Sequence, residues 1–313
     1  MSNDHRVPCV FLICTAILVA APQTISLPAQ AEEIAYRHLL DLSGLAWVGG
    51  DQFLGVHDAK DTQAKHNWPR VSLLTLPKSE IEGVIWKPLD VKFPGEEGRP
   101  SDMESACRLP DGQGFLLCES GQEGDEDRRI FHGVLEENRL TIKSFTRWPV
   151  KIKNVEGTEV CRVGDQNYFL YAERAESRPA TQLRWATFDL DGWKFGKCSQ
   201  VEFKVPDTVG QGARPIVGID IDDDGLIYIV AAHDPDSDDG PYRSTAWKIG
   251  RITAPSKGNA QVQLEKPQRI GTFDGLKAEC ISVRTTEAGK KEVFIGTDDE
   301  HYGGILRPLP QRE

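Results

Sequence analysis

With 313 residues, 39% hydrophobic and 27% charged, the chain has a globular composition and the length of one large all-β domain or two ordinary ones. Its formal net charge is −11 at pH 7 and no Lys/Arg cluster stands out, so duplex nucleic acid is a poor partner. The same balance suits cations or basic partners.

The chain begins with "MSNDHR", then "VPCVFLICTAILVAA", then "PQTISLPAQA" and an acidic pair. A short apolar core followed by Ala29-Gln30-Ala31 is the layout of a secretory signal peptide, residues 1–31. The apolar run is shorter than the roughly 20 residues a spanning helix needs. No other segment is apolar enough to enter a membrane. Residues 32–313 are therefore expected to form a single exported domain, periplasmic or secreted and monomeric, with no membrane contact after cleavage. Removing the signal leaves Cys107, Cys118, Cys161, Cys198 and Cys280, an odd number, so at least one thiol stays free.

"EIAYRHLLDL" reads as a strand, and after it a pattern recurs. "LSGLAWVGGDQFLGVHDAK" begins at Leu42, "MESACRLPDGQGFLLCESG" at Met103 and "VEGTEVCRVGDQNYFLYAERA" at Val155. "IVGIDIDDDGLIYIVAAHDP" begins at Ile216 and "KAECISVRTTEAGKKEVFIGTDDE" at Lys277. Each copy is an apolar run, a Gly/Asp-rich turn and a second apolar run ending in polar residues, which is a hairpin signal. Further strand-like pairs lie between copies, such as "VSLLTLP" with "VIWKPLDV" and "TAWKIGRI" with "VQLEKPQRI". Four short strands per unit, repeating about every 50 to 60 residues, predict an all-β β-propeller of four-stranded blades. Five blades account for the copies seen, and six would require one degraded copy. "GGILRPLP" supplies a last strand, and pairing of N- and C-terminal strands would close the ring.

In such a ring each hairpin brings the start of its first strand and the end of its second to one rim. The entering positions are Ser43, Glu104, Glu156, Val217 and Glu279. The leaving positions are His57, Glu119, Glu173, His233 and Asp298, followed by Asp58, Ser120, Arg174, Asp234 and Asp299. Acids converging on an axis repel one another, and at least one pKa rises unless a cation intervenes. They bind a metal, pair with Arg174, Arg214 or Lys277, or share protons. The expected metal ligands are Glu104, Glu156, Glu279, Glu119, Glu173 and Asp298. Oxygen donors favour Ca²⁺ first, or Mg²⁺, and adding His57 or His233 would admit Zn²⁺ or Mn²⁺.

Other acidic stretches read as local structure. "DIDDDG", Asp220 to Gly225, matches the first half of a calcium loop, but Ala231 stands where that loop needs Glu, so a tight hairpin turn is expected. "DPDSDDG", from Asp234, is a solvated loop or a wrap around an ion, and "EGDEDRR" is an exposed charged loop. A register symmetric about Gln113 would set Cys107 opposite Cys118, as a bridge or as two buried thiols. For catalysis His57 and His233, each followed by Asp, are the expected bases. No G-x-S-x-G elbow, phosphate-binding glycine loop or dinucleotide fingerprint is present.

"SGLAW…FLGVHD", "DMESACRLPDGQGFLLCESG", "NVEGTEV…YFLYAER", "KAECISV" and "IGTDDEHYGG" resemble an exported bacterial β-propeller family similar to the "esterase-like activity of phytase" domain. That domain's "ES" or "EG" pattern falls on Glu104-Ser105 and Glu156-Gly157, and its "TDDE" pattern on Thr297 to Glu300. The resemblance covers most of the chain after residue 31 and implies a site that cleaves esters or phosphoesters. Ser43 and Val217 depart from the pattern. A phytase-type site also needs several Lys/Arg, and the sequence shows few near the rim. Two functions follow: metal-assisted hydrolysis of a small-molecule ester or phosphoester, or a non-catalytic module that binds a small molecule or protein at its rim around a structural ion.

Overall fold

The blades follow one another along the chain. The first is β1 (Gly44–Gly49), β2 (Gln52–Val56), β3 (Val71–Thr75) and β4 (Ile85–Pro88). The second is β5 (Met103–Arg108), β6 (Phe115–Glu119), β7 (Arg129–Glu136) and β8 (Arg139–Arg147). The third comprises β9 (Val155–Val163), β10 (Gln166–Glu173) and β11 (Ala180–Asp189), with β12 (Lys194–Phe195) and β13 (Ser199–Lys204) both pairing β11. The fourth is β14 (Ala213–Ile221), β15 (Leu226–His233), β16 (Arg243–Thr253) and β17 (Gln261–Asp274). The fifth is β18 (Ala278–Thr285), β19 (Lys291–Thr297) and β20 (Leu306–Pro308). All pairings are antiparallel between sequence neighbours except that of β11 with β13, which passes over β12.

This computed structural model describes residues 41–58, 69–79, 83–95, 98–100, 102–112, 114–122, 124, 128–175, 178–207, 212–237, 239–254, 258–299 and 303–310. The expected signal peptide and the strand-like residues 33–40 lie outside them, as does most of the "EGDEDRR" loop. No helix among the described residues is long and apolar enough to cross a membrane.

The first strands of the blades, β1, β5, β9, β14 and β18, stand beside one another in that order, and β18 returns to β1. The fold is a five-bladed β-propeller. A strand flanked by blades on both sides is covered on both faces, so β5 and β6 are buried almost throughout. The outer β8 and β13 are mostly half-buried or exposed, as expected of blade edges. The ring is tight enough to exclude a side chain where inner strands cross. A Cβ on Gly44 would lie 2.7 Å from Ser105 Cα, and one on Gly218 would lie 2.8 Å from the Glu279 carbonyl oxygen.

Each neighbouring pair of blades shares its own apolar core. Leu54, Val71 and Phe131 join the first and second blades, Leu116 and Phe169 the second and third, and Leu170, Trp185 and Trp247 the third and fourth. Val230 and Ile295 join the fourth and fifth, while Leu42, Phe53, Cys280 and Phe294 close the fifth onto the first. The Leu42 N–H also donates to the Thr297 carbonyl at 3.0 Å. Truncating one such buried aromatic to alanine costs about 3–5 kcal/mol.

Two local expectations resolve here. Asp222 to Gly225 forms the β14–β15 turn, with Gly225 N–H donating to the Asp222 carbonyl at 2.8 Å. Cys107 and Cys118 are not opposite, because Cys107 pairs with Leu116 and Cys118 with Ser105. Both are buried free thiols, and Thr158 Oγ1 approaches their sulfurs at 3.9 and 3.7 Å.

Candidate functional site

Glu104, Glu156 and Glu279 are each the extra residue of a β-bulge. Met103 pairs with Glu119 and Ser105 with Cys118, which leaves Glu104 unopposed. Val155 pairs with Glu173 and Gly157 with Ala172, leaving out Glu156, and Ala278 and Cys280 pair around Glu279 in the same way. A bulge re-aims the side chain of its extra residue. All three glutamates line a cavity of about 230 Å³ at the strand-start end of the axis, and none is more than 6% exposed. In the fourth blade a longer irregularity between Arg214 and Gly218 puts Arg214 at the cavity, while Val217 packs into the core.

The residues after the hairpins supply the rest of the wall. Main-chain N–H groups of Ser120, Arg174, Asp234 and Asp298 donate to the carbonyls of Asp102, Asn154, Gly212 and Lys277, so these are equivalent places in four blades. Asp298 thus belongs with Asp234 and Arg174, one step along from the leaving position that its sequence alignment suggests. Asp58, Arg174, Asp234 and Asp298 all line the cavity. Neighbours in an extended chain point to opposite sides, so the residues one step earlier turn away.

Among those, His57 is fully buried: its Nδ1 bonds the Asp41 carbonyl, and its Nε2 lies 2.7 Å from Ser72 Oγ. Burial lowers its pKa to about 4, so the ring is neutral and ties β2 to its surroundings. Glu119 is held by Arg129, whose Nη2 and Nε lie 2.6 and 2.7 Å from its two oxygens and whose main-chain N–H donates at 3.0 Å. Glu173 is half-buried and takes the Lys153 N–H at 3.2 Å and Arg184 at 3.6 Å. His233 is half-buried at the end of β15, paired with Ala213 and Arg243. None of the four lines the cavity.

The cavity has an acidic side and a paired side. On the acidic side, Asp58, Asp102 and Glu104 offer carboxylate oxygens within 4.8 Å of one another. Asp102 Oδ2 accepts Ser120 Oγ, while its buried Oδ1 has no hydrogen-bond partner among the described residues. No donor or cation among the described residues reaches Glu104. Burial, with the charges of Asp58, Asp102, Glu156 and Glu279, pushes its carboxyl well above the ordinary range. On the paired side, Arg174 Nη1 lies 2.7 Å from Glu156 Oε1, and Arg214 Nη1 lies 2.9 Å from Asp234. Lys277 Nζ reaches Asp298 at 3.1 Å, Glu279 at 3.2 Å and Asp234 at 3.5 Å. Burial still raises the Glu279 carboxyl; Lys277 opposes this, and Asp298 and Glu156 add to it.

Arg174, Arg214 and Lys277 therefore pair with the axial acids, one of the outcomes the sequence allowed, and together form a basic rim. Asp102 belongs to the carboxylate cluster with Asp58 and Glu104, and sequence reading missed it. It precedes the "ES" motif, where only the hairpin geometry reveals its place. The lining oxygen donors are carboxylates with the hydroxyl residues Ser237 and Tyr242, without an imidazole, a set suited to a hard ion such as Ca²⁺ or Mg²⁺.

No family model matches this chain, and no curated protein matches it. Solved structures do. One described as Bacteroides ovatus xyloglucan PUL GH43B is 10% identical, over 88% of this chain and 53% of that one, with a TM-score of 0.51. This chain thus spans about half the length of that protein. An α-L-arabinanase from Cellvibrio cellulosa complexed with arabinohexaose is 11% identical over 83% of this chain and 88% of that one, with a TM-score of 0.49. A thermostable family-43 glycoside hydrolase is 10% identical over 88% and 91%, with a TM-score of 0.49. At such identities the likeness is one of fold.

Proposed function

We propose that the axial cavity binds a divalent cation, Ca²⁺ before Mg²⁺, and that the protein is a metal-assisted hydrolase of a small ester or phosphoester. The observation that carries this reading is the convergence of Asp58, Asp102 and Glu104 within 4.8 Å, buried, with no cation reaching Glu104. Seven carboxylates line the cavity, Asp58, Glu104, Glu156, Asp234, Asp236, Glu279 and Asp298, against Arg174, Arg214 and Lys277. Such an excess needs protons or a cation to relieve it. A bound divalent ion supplies Lewis-acid polarisation of a carbonyl or phosphoryl oxygen.

Asp58, Asp102 and Glu104 would hold the ion, and Arg174, Arg214 and Lys277 would orient the substrate's anionic oxygens. Both His57 ring nitrogens are engaged, so the proton-transfer role falls to Glu279, whose raised carboxyl lines the cavity. The resemblance to the esterase-like phytase domain supports the same reaction class. Residues 1–31 support export.

The test is metal content of the purified protein and calorimetric Ca²⁺ titration, followed by p-nitrophenyl ester and phosphate turnover with and without chelator. Chelator-sensitive turnover that Glu104→Gln abolishes is expected. Ca²⁺ binding by Glu104→Gln equal to that of wild type would sink the metal site. Bound metal with no turnover would leave the non-catalytic binding module.

A second reading rests on Glu279 and Glu156. A carboxyl raised well above its ordinary range near an ion-paired carboxylate is the acid–base combination that glycoside hydrolysis uses. One structural neighbour is named for xyloglucan, so p-nitrophenyl glycosides belong in the same screen.

A further inference from the structure

We propose that the opposite mouth of the propeller axis is a second, separate site, which binds a small aliphatic polyamine. The inner strands run from the carboxylate cavity to the hairpin turns. There a second cavity of about 710 Å³ opens, lined by strand ends and by the Asp222–Asp224 turn. Glu159 of β9 and Asp220 of β14 line it and are 7% and 9% exposed.

Glu159 is nine-tenths buried and only half satisfied. Its Oε1 accepts the Val160 N–H at 2.9 Å, and among the described residues no donor or cation reaches its other oxygen. Asp220 Oδ2 accepts the Val283 N–H at 2.7 Å. Burial, with the Asp220 charge second, pushes the Glu159 carboxyl well up, and burial raises Asp220 to about 7. The arginines of this wall are engaged elsewhere. Arg108 lies over the Trp47 ring, 5.5 Å from its centroid, and Arg162 Nε donates to Asn167 at 3.2 Å. Two buried carboxylates thus face an open cavity whose lining arginines, Arg108 and Arg162, do not reach them.

The donor set favours an ammonium over a metal ion. Among the described residues, the one cluster of three potential metal-ligating side chains is Asp58, Asp102 and Glu104, at the other end of the axis. Two carboxylates fall well short of the six to eight oxygens that Ca²⁺ takes. An alkylammonium brings three donors and needs acceptors alone, and its methylenes gain from apolar cover. Val160, Ile221 and Val283 provide that cover. Beyond them Asp223 is paired with Lys291 at 3.1 Å, and the exposed Asp224 is left to meet a further amino group.

The experiment is calorimetric titration of the full chain with spermidine, in chelator, for wild type, Glu159→Gln, Asp224→Asn and Glu104→Gln. Spermidine is expected to bind wild type and Glu104→Gln alike. Its affinity should fall at least tenfold in Glu159→Gln and a few-fold in Asp224→Asn. Thermal melts check folding, and the exposed Asp224→Asn keeps the test open if Glu159→Gln unfolds. Equal affinity in wild type and both mouth variants, loss in Glu104→Gln alone, or no binding at millimolar spermidine would overturn the proposal. The Glu104→Gln arm separates this outcome from failure of the axial metal site.

Discussion

Arg174 and Glu156 face each other across the mouth of the third hairpin, Nη1 to Oε1 at 2.7 Å. The bulged glutamate of one inner strand is thereby neutralised by the residue that follows the next strand. One blade earlier the same place is held by Ser120, and Glu104 has no arginine to meet it. In the fifth blade Lys277 stands where the second blade has Asp102. These two exchanges make the second blade the acidic side of the cavity.

Glu104→Gln should therefore change sign with calcium. In chelator the variant should melt above wild type, because it removes a buried charge among like charges. The folded Glu104 pKa is raised, so the wild-type deficit is absent below the ordinary 4.5 and grows as pH climbs toward the folded value. With calcium present wild type should be the more stable. The variant's Ca²⁺ affinity should fall more than tenfold, about 1.4 kcal/mol. Thermal melts across a pH series, with and without Ca²⁺, check both statements.

Arg174→Met leaves Glu156 buried without its cation and should cost roughly 3 kcal/mol. The double variant with Glu156→Gln should recover most of that loss. A denaturant double-mutant cycle measures the coupling, and independent effects would contradict the pairing.

Arg129→Ala should destabilise by roughly 3–5 kcal/mol, since Arg129 and Glu119 are 1% and 0% exposed. Ca²⁺ affinity in the folded variant should not change, because Glu119 lies off the cavity. Urea unfolding and calorimetry together test this division between structure and site.

Asp220→Asn should flatten the pH dependence of stability. The carboxyl sits near 7 in the fold against an ordinary 3.8. Its raised pKa adds no penalty below 3.8, a growing one up to about 7, and a constant one above, on the order of 4 kcal/mol. Urea midpoints across that window should slope less in the variant than in wild type.

Of the five cysteines beyond residue 40, only Cys198 is exposed. Burial pushes the Cys118 thiol to about 12 and raises Cys107, Cys161 and Cys280 too. A thiol reagent should label Cys198 rapidly and those four after denaturation. Mass spectrometry of the labelled peptides reads the result.

The hairpins were legible because each strand covered on both faces is a run of apolar residues, and each turn is marked by Gly and Asp. "FLLCES" shows this, with Phe115 to Ser120 buried throughout. The convergence of Glu104, Glu156 and Glu279 follows from the repeat itself. The roles of His57 and Glu119 did not show, because alternate residues face opposite ways and a shift of one exchanges them. The bulges at the three glutamates, and the longer one after Arg214, leave no signal in apolar periodicity.

Periodicity of apolar runs alone determined the blades and the end of the axis where acids gather, since burying those runs admits few arrangements, while the choice of five blades over six came with the closed ring. Which acids point inward, which are neutralised by Arg174, Arg214 and Lys277, and which side of the cavity gathers Asp58, Asp102 and Glu104 were decided only in three dimensions. Contacts between blades depend on register, and register turns on single-residue bulges that composition and spacing do not encode.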